Sequence, residues 1–200
     1  MPYIRHKTNL VYVLNSSVTL ECHALEGYEI SQLDNASVRF FFAREDIDQW
    51  RLKSYLRSLD KGCYGFVAHQ DSAWAATHWI APPGSGFPTH LPANISRDKF
   101  WCFNEHTRVE HRRRGLWSAL KNVGISYVRD QFSDEVSVFS DTDLSNVASR
   151  RAHETFGFKP MGLVHTQSFR IPKVSTITHG KWDRAAKHPV TNKGTNGNAS

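Results

Sequence analysis

The chain is predicted to adopt an α/β fold in which helices flank a mixed, partly parallel β-sheet. Short β-prone runs and one amphipathic helix occupy the first hundred residues, and the rest alternates strand, helix, strand, helix and strand. That alternation is typical of parallel strands connected across a face of a sheet. With 200 residues, 40% of them hydrophobic, the chain can bury one sizeable core. We therefore expect one domain over residues 1–184, while the polar, aperiodic residues 185–200 predict a disordered tail.

The first quarter of the chain alternates only weakly. Residues 10–13 and 18–22 are largely apolar, and the turn-forming residues 15–17 between them predict a β-hairpin. Residues 38–42 (VRFFF) are apolar and rich in β-prone side chains, so a strand is predicted there as well.

In the second quarter of the chain the spacing of the apolar residues changes to that of a helix. From Glu45 onward the apolar residues recur with the spacing of a helix, which residues 61–62 would end. Two β-prone runs, 64–69 and 73–80, then flank a polar turn. Residues 81–99 contain four of the eight prolines and predict a long surface loop, a feature that is usually functional inside a compact domain.

The second half is the more regular part. Strands are predicted over residues 100–109, 135–140 and 161–171. Helices are predicted over residues 116–132 and 146–156, where apolar side chains recur every three to four positions. No internal repeat interrupts this order.

The charge of the chain indicates an anionic partner. The net charge is +6, with an isoelectric point near 9.3. Five basic side chains fall within residues 108–114, without the interleaved aromatic residues of a single-strand nucleic-acid surface. We therefore expect one small anion as the partner and no nucleic acid.

Several classes of protein are not expected. No apolar run reaches the roughly 18–20 residues that a membrane span needs, and the N-terminus lacks the pattern of a secretory signal. The three cysteines (Cys22, Cys63 and Cys102) do not predict a disulfide framework and favour the reducing cytoplasm. The eleven histidines show no paired-ligand spacing, so we expect no metal.

The basic cluster lies between a predicted strand and a predicted helix, in the segment EHRRRGLW from Glu110 to Trp117. A helix N-terminus presents unpaired backbone N–H groups and a partial positive charge, which suit a phosphate. Gly115 would let that backbone approach the anion without a Cβ. The alternative is a solvated basic turn that only caps the helix.

A second motif, downstream, accompanies the first one. Residues 146–158 (NVASRRAHETFGF) begin with Asn146 and end in a Gly-Phe pair. Together the two segments resemble the GNAT superfamily of acyl-CoA-dependent N-acetyltransferases. Arg112 and Gly115 match its R/Q-x-x-G-x-G/A motif. The residues that match its second motif, a helix starting N-x-x-(S/A), are Asn146, Ser149, Gly157 and Phe158. The resemblance covers residues 100–162 well and the first hundred only by element order.

The resemblance implies a GNAT-like V-shaped mixed sheet whose splayed central strands admit the pantetheine arm of acetyl-CoA or another acyl-CoA. A neutral amine would attack the thioester directly, with no covalent enzyme intermediate. Backbone groups of residues 105–109 would pair with the pantetheine, and those of residues 112–118 would hold the diphosphate. The implied cofactor-binding residues are Thr107, Arg108, Val109, Arg112, Arg113, Arg114, Gly115, Leu116, Trp117, Ser118, Asn146 and Ser149.

Two positions depart from the family pattern. Trp117 stands where the family has Gly or Ala, and His153 stands where it usually has the tyrosine that protonates the thiolate. An imidazole can act as general acid, which makes His153 the candidate for that catalytic role. Packing near a helix end is the alternative for this histidine.

The general base is expected on the strand that leads to the cofactor loop. Strict alternation places Glu105 on the face of Trp101, and His106 on the opposite face with Cys102 and Asn104. Glu105 is the best-placed carboxylate and the candidate catalytic base, while His106 or a water chain with no single base are the alternatives. An acyl-enzyme on Cys102 is not expected, because no His-Asp pair accompanies it at a recognisable spacing.

The acceptor is expected to be the primary amine of a small molecule, for instance an amino sugar or an aminoglycoside, because aromatic residues surround the acceptor side. The residues expected to bind it are Trp79, Trp101, Asn104, His106, Asp141 and Asp143. Two alternatives remain open: transfer to protein or peptide amino groups, and a non-catalytic domain that senses acyl-CoA. A homodimer is also left open.

Overall fold

The computed structural model describes residues 3–20, 25–43, 49–170 and 177–184. The predicted roles of Cys22, Glu45 and Ile47 and the predicted tail at residues 185–200 lie outside these ranges. The strands are β1 (Tyr3–Leu14), β2 (Glu29–Leu33), β3 (Tyr64–Gln70), β4 (Ala73–Ala81), β5 (Phe100–Thr107), β6 (Val138–Asp143), β7 (Lys159–Arg170) and β8 (Ile177–Asp183). The helices are α1 (Asn35–Phe42), α2 (Gln49–Asp60), α3 (Ala93–Ser96), α4 (Leu116–Phe132) and α5 (Val147–Phe156).

The strands form one sheet in the order β2-β3-β4-β5-β6-β1-β7-β8. All neighbours are antiparallel except β5 and β6, which are parallel and joined only between Phe100–Cys102 and Val138–Ser140. Beyond this short ladder β5 continues along β4 while β6 continues along β1, so the two central strands part. The mixed, V-shaped sheet confirms the predicted fold class.

Helices cover both faces of the sheet. On the front face, Phe42 of α1 and Tyr55 of α2 pack with Trp79 and Trp101. On the back face, α4 packs against the central strands through side chains such as Ile125, and α5 lies beside it. Within the described residues, no helix combines the length and apolar content that a bilayer-spanning segment requires.

The strand predicted at residues 38–42 is wrong, because this run is the second half of helix α1. Asp34 and Ser37 form a capping box: the Ser37 N–H donates to Asp34 Oδ1 at 2.7 Å, and the Asp34 N–H donates to Ser37 Oγ at 2.8 Å. A helix that begins there turns Val38, Phe41 and Phe42 toward the front core, where all three are buried. Local capping and helical spacing therefore outweigh the β-propensity of the run.

The predicted hairpin at residues 10–22 is also wrong, since β1 ends at Leu14 and pairs with β6 and β7 instead. Residues 18–20 follow the predicted turn but form no strand. The loop at residues 81–99 is confirmed apart from its short helix α3, and the helix at residues 116–132 is confirmed over its full length. The strand predicted from residue 135 begins at Val138.

Helix α4 lies unusually close to β4 at Gly124. A Cβ built there would meet His78 Cδ2 at 2.8 Å and Phe66 Cδ2 at 3.2 Å. We expect Gly124→Ala to lower the free energy of unfolding by about 1–3 kcal/mol through overpacking, although alanine alone favours a helix by about 1 kcal/mol. Urea denaturation measures the change.

Asp130→Ala, at an exposed position of the same helix, is the matched control and should cause no comparable loss. A gain in stability for Gly124→Ala would contradict the close packing of α4 on β4.

Candidate active site

A cleft of about 910 Å³ opens where β5 and β6 part. Most of the predicted site residues line it: Glu105, His153, Thr107, Arg112, Arg113, Arg114, Gly115, Leu116, Trp117, Ser118, Asn146, Ser149, Asn104, His106, Asp141 and Asp143. All of these residues lie in the second half of the chain, between Asn104 and His153. Four predicted residues, Trp79, Trp101, Arg108 and Val109, do not line the cleft.

Each of those four has another place in the fold. Trp79 and Trp101 are fully buried in the front core, where direct contact with a substrate is closed to them. Arg108 Nε pairs with Glu110 at 2.7 Å, and Val109 lies in a 3-10 turn with 71% of its surface exposed. Trp79 and Trp101 do not reach this cleft, and the backbone contacts with the pantetheine that the resemblance implies for Arg108 and Val109 stay predictions.

A β-bulge interrupts β5 at the cleft. Trp79 of β4 pairs with Phe103, but Thr77, two residues earlier, pairs with His106, three residues later. One extra residue is thus inserted in β5, and Asn104 takes a left-handed conformation with φ +48°. Because side chains alternate with period two, an inserted residue exchanges the faces of all residues that follow it.

The predicted alternation along β5 is therefore wrong beyond Asn104. Glu105 lies on the back face with Cys102, because both approach His78 and α4. His106 lies on the front face, where its ring stands 5.6 Å from the ring of Trp74. β5 is predicted to present the Glu105 carboxylate on the face of Trp101, but it presents the His106 imidazole there instead.

The Glu105 carboxylate is fully engaged on the back face. It accepts hydrogen bonds from Trp117 Nε1 at 2.7 Å and from Lys121 Nζ at 2.5 Å, and His78 Nδ1 lies 3.4 Å away. Burial alone would raise the pKa of Glu105, but the Lys121 ammonium and then His78 outweigh it and hold that pKa well below its usual range. Glu105 is therefore a fixed negative charge near neutral pH.

Lys121 supplies the compensating charge. Its side chain is 0% exposed, and the ammonium lies 4.8 Å from the ring centroid of Trp117 and 4.7 Å from that of Phe158. Trp117 therefore turns inward, between β5 and α5, and its indole becomes part of the cleft wall. This explains how a large side chain is accommodated where the GNAT motif has a small one.

His153 is held in one neutral form. Its Nδ1 lies 2.8 Å from the backbone oxygen of Ser149, which can only accept, so Nδ1 carries the proton. Its Nε2 then accepts from the Ser140 hydroxyl at 2.8 Å, while the ring stacks on Tyr12. Burial, reinforced by Lys121, lowers the pKa of His153 to about 4. The imidazolium needed for a general acid is therefore scarce at neutral pH.

Three potential metal-ligand atoms, from His78, Cys102 and Glu105, lie within 4.8 Å of one another on the back face. Lys121 already bonds Glu105 there as the local cation. Burial, against the opposing effect of Lys121, raises the pKa of the Cys102 thiol to about 12, which disfavours both a thiolate ligand and a thiolate nucleophile. This cluster does not resemble a metal centre.

The loop between β5 and α4 has the shape of an anion cradle. Arg113 and Gly115 both have left-handed backbones, with φ +64° and +74°, and Gly115 is the N-cap of α4. A Cβ at Gly115 would approach only Leu25 Cδ2, at 3.8 Å, so the space above the helix terminus is open. The exposed side chains of Arg112, Arg113 and Arg114 surround it. These residues fit a diphosphate.

The second motif lies across the cleft from this loop. The Asn146 side chain caps α5 by accepting from the Ser149 N–H at 3.1 Å, and both residues line the cleft. Two helix N-termini and three arginines thus border one end of the opening between the strands.

Comparisons with known proteins agree with this geometry. Neither a family model nor a curated protein matches the chain, but solved structures do. A Drosophila protein superposes with a TM-score of 0.61 and 13% identity over 86% of this chain and 53% of its own length. A putative GNAT-family acetyltransferase from Novosphingobium aromaticivorans superposes with a TM-score of 0.55 and 15% identity. The match covers 84% of this chain and 66% of that protein. AAC(6')-Iy, solved in complex with the bisubstrate analogue CoA-S-monomethyl-acetylneamine, superposes with a TM-score of 0.50 and 14% identity. The match covers 66% of this chain and 90% of AAC(6')-Iy.

The chain has the GNAT fold. Identities of 13–15% support the fold alone, and the chain spans only 53% and 66% of the length of the first two structures. Within the GNAT fold, the cleft between β5 and β6 and the loop before α4 bring most of the predicted site residues together.

The front-face side of the GNAT cleft contains a buried carboxylate. Asp141, whose side chain is 3% exposed, accepts from Trp101 Nε1 at 2.8 Å, from Asn9 Nδ2, and from His90 Nε2 at 2.9 Å. Burial would raise the pKa of Asp141, but His90 and the two other donors hold it below its usual value. Asp141 is thus ionised and fixed in place, and the buried Trp101 contributes to the site by orienting it.

Several of these residues have no signal in the sequence. Asn9 immediately precedes the apolar run at residues 10–14, Lys121 stands next to the polar Asn122, and Ser140 is the last residue of β6 paired with β5. Lys121 directly follows Leu120 of the apolar row of α4, where a surface position would be expected. Their roles depend on contacts between distant segments of the chain.

Neutralising Glu105 should leave Lys121 as an uncompensated buried charge. We expect Glu105→Gln to lower the free energy of unfolding by about 3–5 kcal/mol, measured by urea denaturation at neutral pH. Adding Lys121→Met to this variant should recover part of the loss. Additive losses in the double variant would contradict the ion pair.

The pKa of His153 makes stability depend on pH. A folded-state pKa of about 4, below the ordinary 6.5, means that the neutral ring stabilises the fold above pH 6.5 and that this contribution is lost as the pH falls toward 4. The contribution amounts to up to about 3 kcal/mol. We expect His153→Phe to reduce the drop in the free energy of unfolding between pH 7 and about 4.5.

Denaturation at both pH values measures this effect, with His165→Phe, an exposed histidine on β7, as the control that keeps the wild-type drop. An unchanged drop in His153→Phe would show that His153 titrates alike in the folded and unfolded chain.

Proposed function

We propose that this protein is an N-acyltransferase that moves an acetyl or other acyl group from coenzyme A to a primary amine. One observation carries the proposal: the cleft between the parted strands connects the anion cradle before α4 with the Asp141 carboxylate on the front face. An acyl-CoA held at one end and an amine held at the other would meet between β5 and β6.

Binding of acyl-CoA would use the backbone more than the side chains. The N–H groups of residues 112–118 and the three arginines suit the diphosphate, and the free edge of β5 at residues 105–107 suits the pantetheine amides. Asn146 and Ser149 would border the opposite wall. When bound, the cofactor would supply the acyl group as a thioester.

Glu105 and His153 receive different roles from those expected of them. With Glu105 bonded to Lys121 and Trp117, and His153 bonded to Ser140 and Ser149, neither has a free proton-accepting or proton-donating atom at neutral pH. We propose that they hold the back wall of the cleft, next to the acyl-CoA, in one arrangement.

The acceptor is proposed to be a small molecule that carries a primary amine, such as an amino sugar or an aminoglycoside. The ionised Asp141 and the half-exposed Asp143 offer negative charge to an ammonium group at the front-face mouth of the cleft. The bisubstrate analogue bound by AAC(6')-Iy, at 14% identity, provides an analogy for such an acceptor. The free thiols of Cys63 and Cys102 support a reducing, cytoplasmic location.

Calorimetry and a thiol-release assay test the proposal. We expect coenzyme A and acetyl-CoA to bind, with binding about tenfold weaker in Arg114→Ala because one charged hydrogen bond to phosphate is lost. Arg151→Ala, an exposed arginine on α5 outside the cleft, is the matched control and should bind normally.

Release of coenzyme A should then require an amine from a panel of amino sugars, aminoglycosides, polyamines and peptides. Absence of binding to both cofactors would exclude the enzyme. Binding without thiol release for any amine would favour an acyl-CoA sensor, and release with peptides alone would favour a protein acetyltransferase.

A further inference from the structure

We propose that His90 is the general base that takes the proton from the acceptor amine, and that Asp141 is its positioning residue. This inference rests on the proposed function and adds the residues that perform its proton transfer. His90 and the buried Asp141 line the cleft on the front face, with His90 Nε2 2.9 Å from Asp141 Oδ2.

The pair lies at the point where the strands separate. Asp141 directly follows Ser140, which forms the last pair between β6 and β5 opposite Cys102. His90 comes from the long loop between β4 and β5, which brings it across the front face to the same point. A reacting amine that enters from the front face toward the thioester would pass these two side chains.

Asp141 fixes the protonation pattern of His90. The carboxylate oxygens lie 2.9 and 3.1 Å from His90 Nε2, and an ionised carboxylate can only accept, so Nε2 carries a proton. Trp101 and Asn9 hold the carboxylate from its other sides, which leaves it little freedom to turn. In the neutral ring the remaining nitrogen, Nδ1, is therefore the proton acceptor.

His90 is accessible, whereas Asp141 is not. The His90 side chain is 44% exposed and the Asp141 side chain is 3% exposed. No described residue forms a hydrogen bond with His90 Nδ1, so this nitrogen is free to meet a substrate. The exposed histidine thus connects a buried, ionised carboxylate with the contents of the cleft.

Asn9 adds a place for the amine. Its side chain is 97% buried and lines the cleft, yet its Oδ1 has no hydrogen-bond partner among the described residues, because the amide nitrogen is directed at Asp141. An unpaired buried oxygen is costly unless a donor from outside satisfies it. An amine N–H is such a donor, and it would be held beside His90.

The other candidate bases are less well arranged. Glu105 lies on the back face and is bonded to Lys121 and Trp117. His106 lies on the front face, but burial and the nearby arginines lower its pKa, and no carboxylate among the described residues is hydrogen-bonded to its ring. Among the front-face groups that line the cleft, Asp143 is bonded to Ser145 and Lys7 lies 3.9 Å from it.

An ammonium R–NH₃⁺ gives one proton to His90 Nδ1, and the resulting amine forms a C–N bond with the thioester carbonyl carbon. The C–S bond breaks, and the thiolate takes the second proton from nitrogen, directly or through water. His90 then returns its proton to solvent, so that an amide, free coenzyme A and one proton are the products.

The test uses the full-length protein and an amine that the wild type acetylates. We expect His90→Ala to lower kcat about 100-fold or more, with the dissociation constant of acetyl-CoA from calorimetry unchanged. Asp141→Asn should lower kcat similarly, because an amide can donate to His90 Nε2 and so favours the tautomer with a proton on Nδ1. His165→Ala, an exposed histidine outside the cleft, is the matched control and should retain wild-type kcat.

Added imidazoles distinguish a base from a merely structural histidine. In His90→Ala, substituted imidazoles should restore turnover at rates that rise with the basicity of the added compound. Asp141→Asn should not be rescued, since its own imidazole fills the site. Unchanged kcat in His90→Ala, absence of rescue, or a large loss in His106→Ala alone would overturn the inference and leave the proposed function standing. Absence of wild-type turnover with every amine would overturn both.

Discussion

The short parallel ladder between β5 and β6 is the constraint on which the site depends. Only Phe100–Cys102 and Val138–Ser140 are paired, after which each strand follows its antiparallel neighbour. The inner edges of both strands then present backbone groups without a strand partner, in a place that is otherwise the centre of a sheet. Buried backbone groups need partners, so an extended ligand with its own amides suits this opening. The cleft is thus a consequence of strand pairing, and the side chains only line an opening that the backbone creates.

The bulge at Asn104 determines which side chains of β5 lie on each face of the cleft. It turns Glu105 to the back face, where Lys121 compensates a charge that would otherwise be buried alone. The ammonium of Lys121 in turn disfavours a positive charge on His153, which stays neutral between Ser140 and Ser149. Charge on the back face is therefore balanced within the protein, and the wall beside the proposed cofactor site is polar but fixed. The front face keeps the ionised Asp141, whose charge is available to a cationic substrate through His90.

Much of the second half of the fold could be predicted from the sequence, because its signals are local. Helix α4 has an apolar row of ordinary period, α5 has an Asn cap and a Gly-Phe end, and the arginine run separates a strand from a helix. Helix α1 was missed because its apolar run is short and β-prone, and the capping box that decides the matter lies just before it. The face of Glu105 could not be predicted, since one inserted residue reverses an alternation that sequence reasoning takes as strict. Lys121 and Asn9 are buried by partners far away in the chain, which no local pattern reveals.

The division of the cleft into two faces explains why a loop, rather than the central strand, would provide the proton acceptor. The GNAT resemblance predicts the general base on β5. After the bulge, however, β5 places His106 on the front face, where no described carboxylate is hydrogen-bonded to its ring. It places Glu105 on the back face, where Trp117 and Lys121 occupy both carboxylate oxygens. The nearest ionised group on the front face is Asp141, and its burial prevents it from receiving a substrate proton directly. A side chain that reaches Asp141 from outside the sheet is therefore required to bring its charge to the substrate. The loop between β4 and β5 provides one in His90, and because loops tolerate change better than central strands, the proton acceptor can vary while the cofactor site stays constant.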